Sequence, residues 1–93
     1  MTVAMVVPHL LAPYADGQTT LALDTDAPTV GGALSAMASR YPALGDRVLT
    51  EQGAVRPHIN VFVGEQNIRF ADGTATTVPP GTTVMIVAAV SGG

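Results

Sequence analysis

The chemical group with the clearest possible role in this sequence is the last α-carboxylate. The chain ends Ser91-Gly92-Gly93, directly after an unbroken apolar run over residues 84–90. Glycine has no Cβ atom, so such an ending can enter a narrow channel and adopt conformations closed to other residues. Four extended residues reach about 13 Å at about 3.3 Å per residue. We therefore expect Gly93 to place its carboxylate inside another protein's active site, although an idle terminus is the alternative. The tail recognised there would be Val90, Ser91 and Gly92.

The other reactive side chains do not form a catalytic set. His9 and His58 lie in unrelated segments without ligand spacing, so structural or surface roles are expected for both. None of the serines lies in a strand–turn–helix elbow, and the carboxylates fall mostly at turns, where they act as caps or solvated charges. The sequence therefore predicts no catalytic residue and no metal site, which favours a protein that is not itself an enzyme.

Composition excludes several classes of protein. The 93 residues fit one domain, and 47% hydrophobic with 12% charged residues indicates a globular chain. There is no cysteine, so a disulfide framework, a thiolate metal site and a cysteine nucleophile are excluded. A net charge of −3 and scattered arginines argue against nucleic-acid binding. The start lacks a basic leader, so we expect a cytoplasmic protein without membrane association. Without lysine, no side chain of this protein can accept an isopeptide bond.

The first half of the chain reads as a hairpin followed by a helix. Alternating apolar residues predict a strand near residues 2–7 and another over residues 20–24. Thr29 is the expected N-cap of a helix. An apolar stripe predicts that this helix extends to Tyr41, and Pro42 is expected to end it. Two glycines in its first turn could allow close packing or bind an anion, and close packing is preferred. A short helical turn is expected over residues 44–49.

The second half reads as strands. The pattern predicts strands over residues 59–63, 68–70 and 83–90, with an edge piece at 74–78. A single helix can cover one face of a sheet, so the prediction is an α+β fold. If the helix is a right-handed crossover, the first and last strands lie side by side and parallel in the arrangement of the β-grasp. We expect one β-grasp domain over residues 1–93, with a mixed sheet of four to five strands and residues 90–93 as a flexible tail.

The whole chain resembles the ubiquitin-like sulfur-carrier family that includes the thiamine-pathway carrier and the small subunit of molybdopterin synthase. The resemblance is carried by the segments 29–30, 40–42, 60–63 and 68–70, by Gly81, and by the ending 89–93. The region around residues 68–76 is most similar to the cysteine-biosynthesis carrier and to related carriers in natural-product clusters. Ser91 departs from the small apolar residue often found there, which puts recognition by a particular partner in doubt but not the chemistry.

The resemblance implies a sulfur carrier. An activating enzyme that uses ATP and Mg²⁺ would adenylate Gly93, a sulfur donor would displace AMP, and the resulting thiocarboxylate would deliver sulfur to a second, biosynthetic enzyme. The carrier itself would bind no cofactor. The sheet face opposite the helix would be the docking surface with Phe62 as its anchor, although an ordinary core position for Phe62 is equally open. The alternatives are a ubiquitin-like protein modifier, a dedicated molybdopterin synthase subunit, and a binding module with an idle tail.

Overall fold

The computed structural model describes residues 1–26 and 28–88 of the chain. The strands are β1 (Thr2–Val6), β2 (Thr20–Asp24), β3 (Ile59–Val63), β4 (Gln66–Asn67) and β5 (Val84–Ala88). The α-helices are α1 (Val30–Arg40) and α2 (Pro42–Val48). Short 3-10 helices cover His9–Ala15, Ile68–Phe70 and Gly73–Ala75.

The five strands form one mixed sheet in the order β2-β1-β5-β3-β4. β5 lies in the middle, parallel to β1 and antiparallel to β3, while β2 and β4 pair antiparallel at the two edges. The first and last strands are therefore parallel neighbours, as the sequence predicts. The most apolar strand therefore occupies the centre, where Val84 and Met85 are paired with both β1 and β3. The predicted α+β, β-grasp architecture is confirmed.

Helix α1 begins where its capping residue predicts. The Thr29 hydroxyl accepts a hydrogen bond from the Gly32 N–H at 3.1 Å, which satisfies one of the unpaired donors of the first turn. A Cβ built on Gly31 would lie 3.2 Å from the carbonyl oxygen of Thr74. Close packing is therefore the reason for this glycine, although the neighbour is the 3-10 helix at Gly73–Ala75 and not the sheet. Pro42 does end α1, and it also starts α2, as proline at a first helical position can.

One face of the sheet carries the core. Alternate strand residues point to the same face, and those facing the helices are buried together with the apolar stripe of α1. The buried strand residues are Val3, Met5, Leu21, Leu23, Ile59, Val61, Val63, Val84 and Ile86. The alternate residues on the second face are exposed or half-buried. Packing on the covered face holds the strands in place. It therefore also fixes the positions of the side chains on the second face.

The predicted strand over residues 68–70 is wrong. The Asn67 side chain accepts a hydrogen bond from the Arg69 N–H at 2.9 Å and starts a 3-10 turn there. Ile68 is consequently buried while Phe70 is 81% exposed, whereas a strand would place both on one face. The short pairing strand is instead the preceding pair Gln66–Asn67.

Two other expectations need adjustment. The edge piece predicted at residues 74–78 is a 3-10 helix followed by a single bridge between Thr77 and Thr29. The final strand starts at Val84 and is described to Ala88, so its predicted last two residues lie outside the described part. Within residues 1–26 and 28–88, no helix has the length and apolar character needed to cross a membrane.

Candidate functional site

The strand leading to the predicted working end is anchored in the core. Val84 and Ile86 of β5 are 0% and 2% exposed. Along β3 the backbone pairing continues to the last described residue, where Ala88 faces Ile59. A segment held by backbone hydrogen bonds and buried side chains opens only at a cost close to that of unfolding the domain. The point from which the chain continues beyond Ala88 is therefore fixed relative to the sheet.

The predicted tail residues themselves lie outside the described residues. These are Val90, Ser91, Gly92 and Gly93. Their roles as the recognised segment and the sulfur-bearing end remain predictions, as does the division of the chain into a domain and a tail.

An apolar row crosses the sheet on the face opposite the helices. Val6 of β1 is paired with Met85 of β5, and Met85 is paired with Phe62 of β3. Side chains directly opposite each other on neighbouring strands lie within contact range. Met85 is 40% exposed, and Val87, farther along β5, is 36% exposed. We call the surface formed by Val6, Phe62, Met85 and Val87 the open face.

Phe62 lies on this open face, half-buried between its neighbours, and is absent from the buried core. Its position is the one that the docking prediction requires. Docking itself stays a prediction. The sequence does not single out Met85 and Val87, because every residue of their strand is apolar and the pattern does not reveal which alternate set faces solvent. The signal that could have found them is the alternation of a strand with helices on one side only, in which every second residue faces away from the helices.

A cleft that the sequence does not predict lies at the end of the sheet where β5 ends. It has a volume of about 550 Å³ and is lined by Tyr14, Ala43, Asp46, Arg47, Arg56 and His58. We call it the basic cleft. The sequence shows scattered arginines, whereas the fold brings two of them together, one from α2 and one from the loop before β3. Its histidine is a surface residue, as predicted.

The histidines and the serines of α1 lie on three separate segments of the fold. Within residues 1–26 and 28–88, no group of three or more histidine, aspartate or glutamate residues is placed to hold a metal ion. His9 is exposed on the first 3-10 helix, while Ser35 and Ser39 are exposed on α1. The features that this region of the molecule presents are a fixed strand end, an apolar face and a basic cleft near it.

Comparisons with known proteins give the family. The sequence profile of the ThiS family matches residues 8–93. The sulfur carrier protein CysO of Mycobacterium tuberculosis is 30% identical over 95 residues, covering all of both chains. A chain of the crystal structure of the Amycolatopsis orientalis BexX/CysO complex has a TM-score of 0.84 and 27% identity, covering 98% of this chain and 99% of that one. SAMP1 of Haloferax volcanii, a small archaeal modifier protein, has a TM-score of 0.84 and 30% identity over the whole of both chains.

These matches confirm the predicted resemblance and the predicted function of sulfur carrier. The likeness to SAMP1 is consistent with the modifier alternative but does not favour it, since the family match and the full-length match to CysO both point to carriers. The chain therefore belongs to the ThiS family.

Proposed function

We propose that this ThiS-family sulfur carrier works through the carboxylate of Gly93. A carboxylate is a poor electrophile, so an activating enzyme must first join it to the α-phosphorus of ATP, with pyrophosphate as the leaving group. Hydrosulfide, or an equivalent donor, then attacks the acyl carbon. The bond from that carbon to the AMP oxygen breaks and a thiocarboxylate remains. Its ionised sulfur displaces the leaving group of an activated substrate in a second enzyme. Hydrolysis of the acyl carbon–sulfur bond of the resulting thioester then leaves the sulfur on the product and restores the Gly93 carboxylate.

The observation that carries this proposal is the family match, which extends to the last residue of the chain. The fixed end of β5 supports it, because a reactive end is useful only if it enters another enzyme's site in a reproducible direction. Ser91 and the two glycines after it offer no bulky side chain to obstruct a channel. The carrier contributes the reactive end and its docking surface, while the partner enzymes contribute the general base, the Mg²⁺ and the nucleotide.

The open face is the proposed docking surface for the activating enzyme. A partner covering Met85 and Val87 would remove from water the apolar area that the domain leaves exposed there. Phe62 fits the role of anchor because aromatic side chains at the centre of an interface contribute much of its binding energy. Met85 lies beside Phe62 on one side and Asn67 on the other, so the apolar surface extends from Phe62 towards β5 and β1.

The sulfur acceptor is proposed to be a biosynthetic enzyme making cysteine, a thiosugar or another small sulfur-containing metabolite. Similarity to CysO supports this class, and the solved BexX/CysO complex supports a docked partner protein for the carrier. We propose a cytoplasmic site of action and no nucleic-acid partner, since the net charge is −3.

The test is coexpression with the activating enzyme and a sulfur source, followed by intact-protein mass spectrometry. The expected result is a gain equal to one oxygen-to-sulfur exchange. The matched control is a variant lacking Gly93, which should show no gain while its thermal unfolding is unchanged. A chain that gains no mass beside an enzyme shown to activate another carrier would contradict the proposal.

The second candidate is a protein modifier, with which the full-length similarity to SAMP1 is consistent. The activated end would then acylate lysines of other proteins. Adducts that survive reducing and denaturing conditions would favour it, because an isopeptide bond resists both treatments. The absence of lysine excludes chains of this protein linked to itself through lysine.

A further inference from the structure

The basic cleft departs from the charge of the rest of the molecule. The chain carries a net charge of −3 with only four arginines, yet Arg47 and Arg56 line this one cleft. Asp46 is the single carboxylate among the lining residues. Among the described residues, no carboxylate lies within ion-pair distance of either guanidinium. The cleft therefore has cationic groups without an anionic partner in this chain's described part.

The two guanidinium groups are held in place by neutral contacts. The Cζ atom of Arg47 lies 4.6 Å from the centroid of the Tyr14 ring, in a cation–π contact. Nε of Arg56 donates a hydrogen bond to the backbone oxygen of Asp46 at 3.0 Å. A guanidinium has five N–H donors, so most donors of both groups have no protein acceptor among the described residues. Restricted in this way, the groups lose less rotamer freedom when they bind an anion.

The position of the cleft connects it to the C-terminal end. His58, which lines the cleft, directly precedes Ile59, and Ile59 is paired with Ala88. Tyr14 belongs to the 3-10 helix after β1, and β1 runs parallel to β5, so that helix starts at the same end of the sheet. A protein that encloses the residues after Ala88 must therefore cover the neighbourhood of this cleft.

We infer that the basic cleft binds carboxylate side chains of the activating enzyme, the partner protein that first receives the C-terminal end. This inference rests on the proposed function. Arginine suits such contacts because its planar fork of donors matches a carboxylate. The cleft is open to solvent near the end of β5, where the surface of a partner that encloses the following residues must pass. Acidic residues of the partner at this cleft would fix the rotation of the carrier about the axis of β5. The apolar contacts of the open face do not fix that rotation.

The test is the kinetics of activation by the enzyme that supports thiocarboxylate formation in the experiment above. Arg47→Gln and Arg56→Gln are each expected to raise the KM for the carrier by about 10-fold and to leave kcat unchanged. The KM of the wild-type chain should rise with salt concentration more steeply than that of either variant. Thermal unfolding of each variant checks that the fold is intact.

Arg40→Gln is the matched control. Like the cleft residues, Arg40 combines a ring contact, 5.5 Å from the Tyr41 centroid, with a hydrogen bond to a backbone oxygen, that of Ala22 at 3.2 Å. It lines a separate depression with Leu23 and Asp24 that shares no residue with the basic cleft. Its substitution should change neither KM nor the salt dependence.

The possible results separate the two claims. If the wild-type chain is activated but the cleft variants behave like Arg40→Gln, this inference is wrong and the proposed function stands. A lower KM in the cleft variants would also overturn it, since the two arginines would then oppose binding of the partner. If an enzyme active on another carrier leaves the wild-type chain unmodified, the proposed function and this inference fail together.

Discussion

Replacing the two exposed residues of β5 by polar residues of similar shape should weaken activation without unfolding the domain. Met85→Gln and Val87→Thr keep the volume of each side chain while removing its apolar surface. Both side chains already face water in the free protein, with exposures of 40% and 36%. The free energy of unfolding should therefore change little, whereas a complex that buries them would lose apolar contact.

The size of the effect follows from these exposures. Complete burial of such a side chain contributes about 1.5–3 kcal/mol, so 40% of Met85 and 36% of Val87 together correspond to about 1–2 kcal/mol. A loss of that size raises the KM for the carrier by about 5- to 30-fold in the double variant. Buried amide or hydroxyl groups without partners in the complex would add to the loss.

The assay is pyrophosphate release by the activating enzyme as the carrier concentration is varied. Phe70→Gln is the control, because Phe70 is 81% exposed but lies on a 3-10 turn outside the open face. The control should have the KM of the wild-type chain. An unchanged KM in the double variant, or an equal rise of the KM in the Phe70→Gln control, would refute the assignment of the open face as the docking surface.

Substitutions at three further positions test other contacts. Phe62→Ala should raise the same KM by at least about 10-fold, as loss of a central aromatic anchor does, and an unchanged KM would show that Phe62 only supports the sheet. Gly45→Ala should destabilise the domain by about 1 kcal/mol in urea unfolding. The new Cβ would lie 2.7 Å from that of Ala38, and this overpacking costs about 2 kcal/mol, more than the helix-propensity gain of about 1 kcal/mol. Equal or greater stability would contradict the close α1–α2 contact. Thr29→Ala should cost about 1 kcal/mol in the same assay while Thr29→Ser costs little, and equal losses would exclude the hydroxyl cap.

The regular elements and their order were predictable because each has a local signal. The N-cap at Thr29, the apolar stripe of α1 and the alternation in β1 and β3 are all readable in the sequence, and the fold confirms them. The position of β5 in the sheet followed from its apolar character and from the crossover. These inferences succeed because short-range pattern and burial agree along these segments.

The predictions failed where a side-chain contact determines the conformation of the backbone. Residues 68–70 have the apolar–polar–apolar pattern of a strand, but the Asn67 side chain turns the chain by accepting the Arg69 N–H. The basic cleft could not be read because Tyr14, Arg47 and Arg56 are distant in sequence and meet only through packing of α2 on the first 3-10 helix. Surfaces assembled from separate segments leave no periodic signal.

The most direct test of the central claim locates the sulfur on the chain. No lysine or arginine follows Arg69, so trypsin releases the whole C-terminal segment, residues 70–93, as one peptide. After reaction with the activating enzyme, ATP and a sulfur donor, tandem mass spectrometry should assign the exchange of one oxygen for sulfur to Gly93. An unmodified peptide, or sulfur found on any other residue, would contradict a carrier that works through its own last carboxylate.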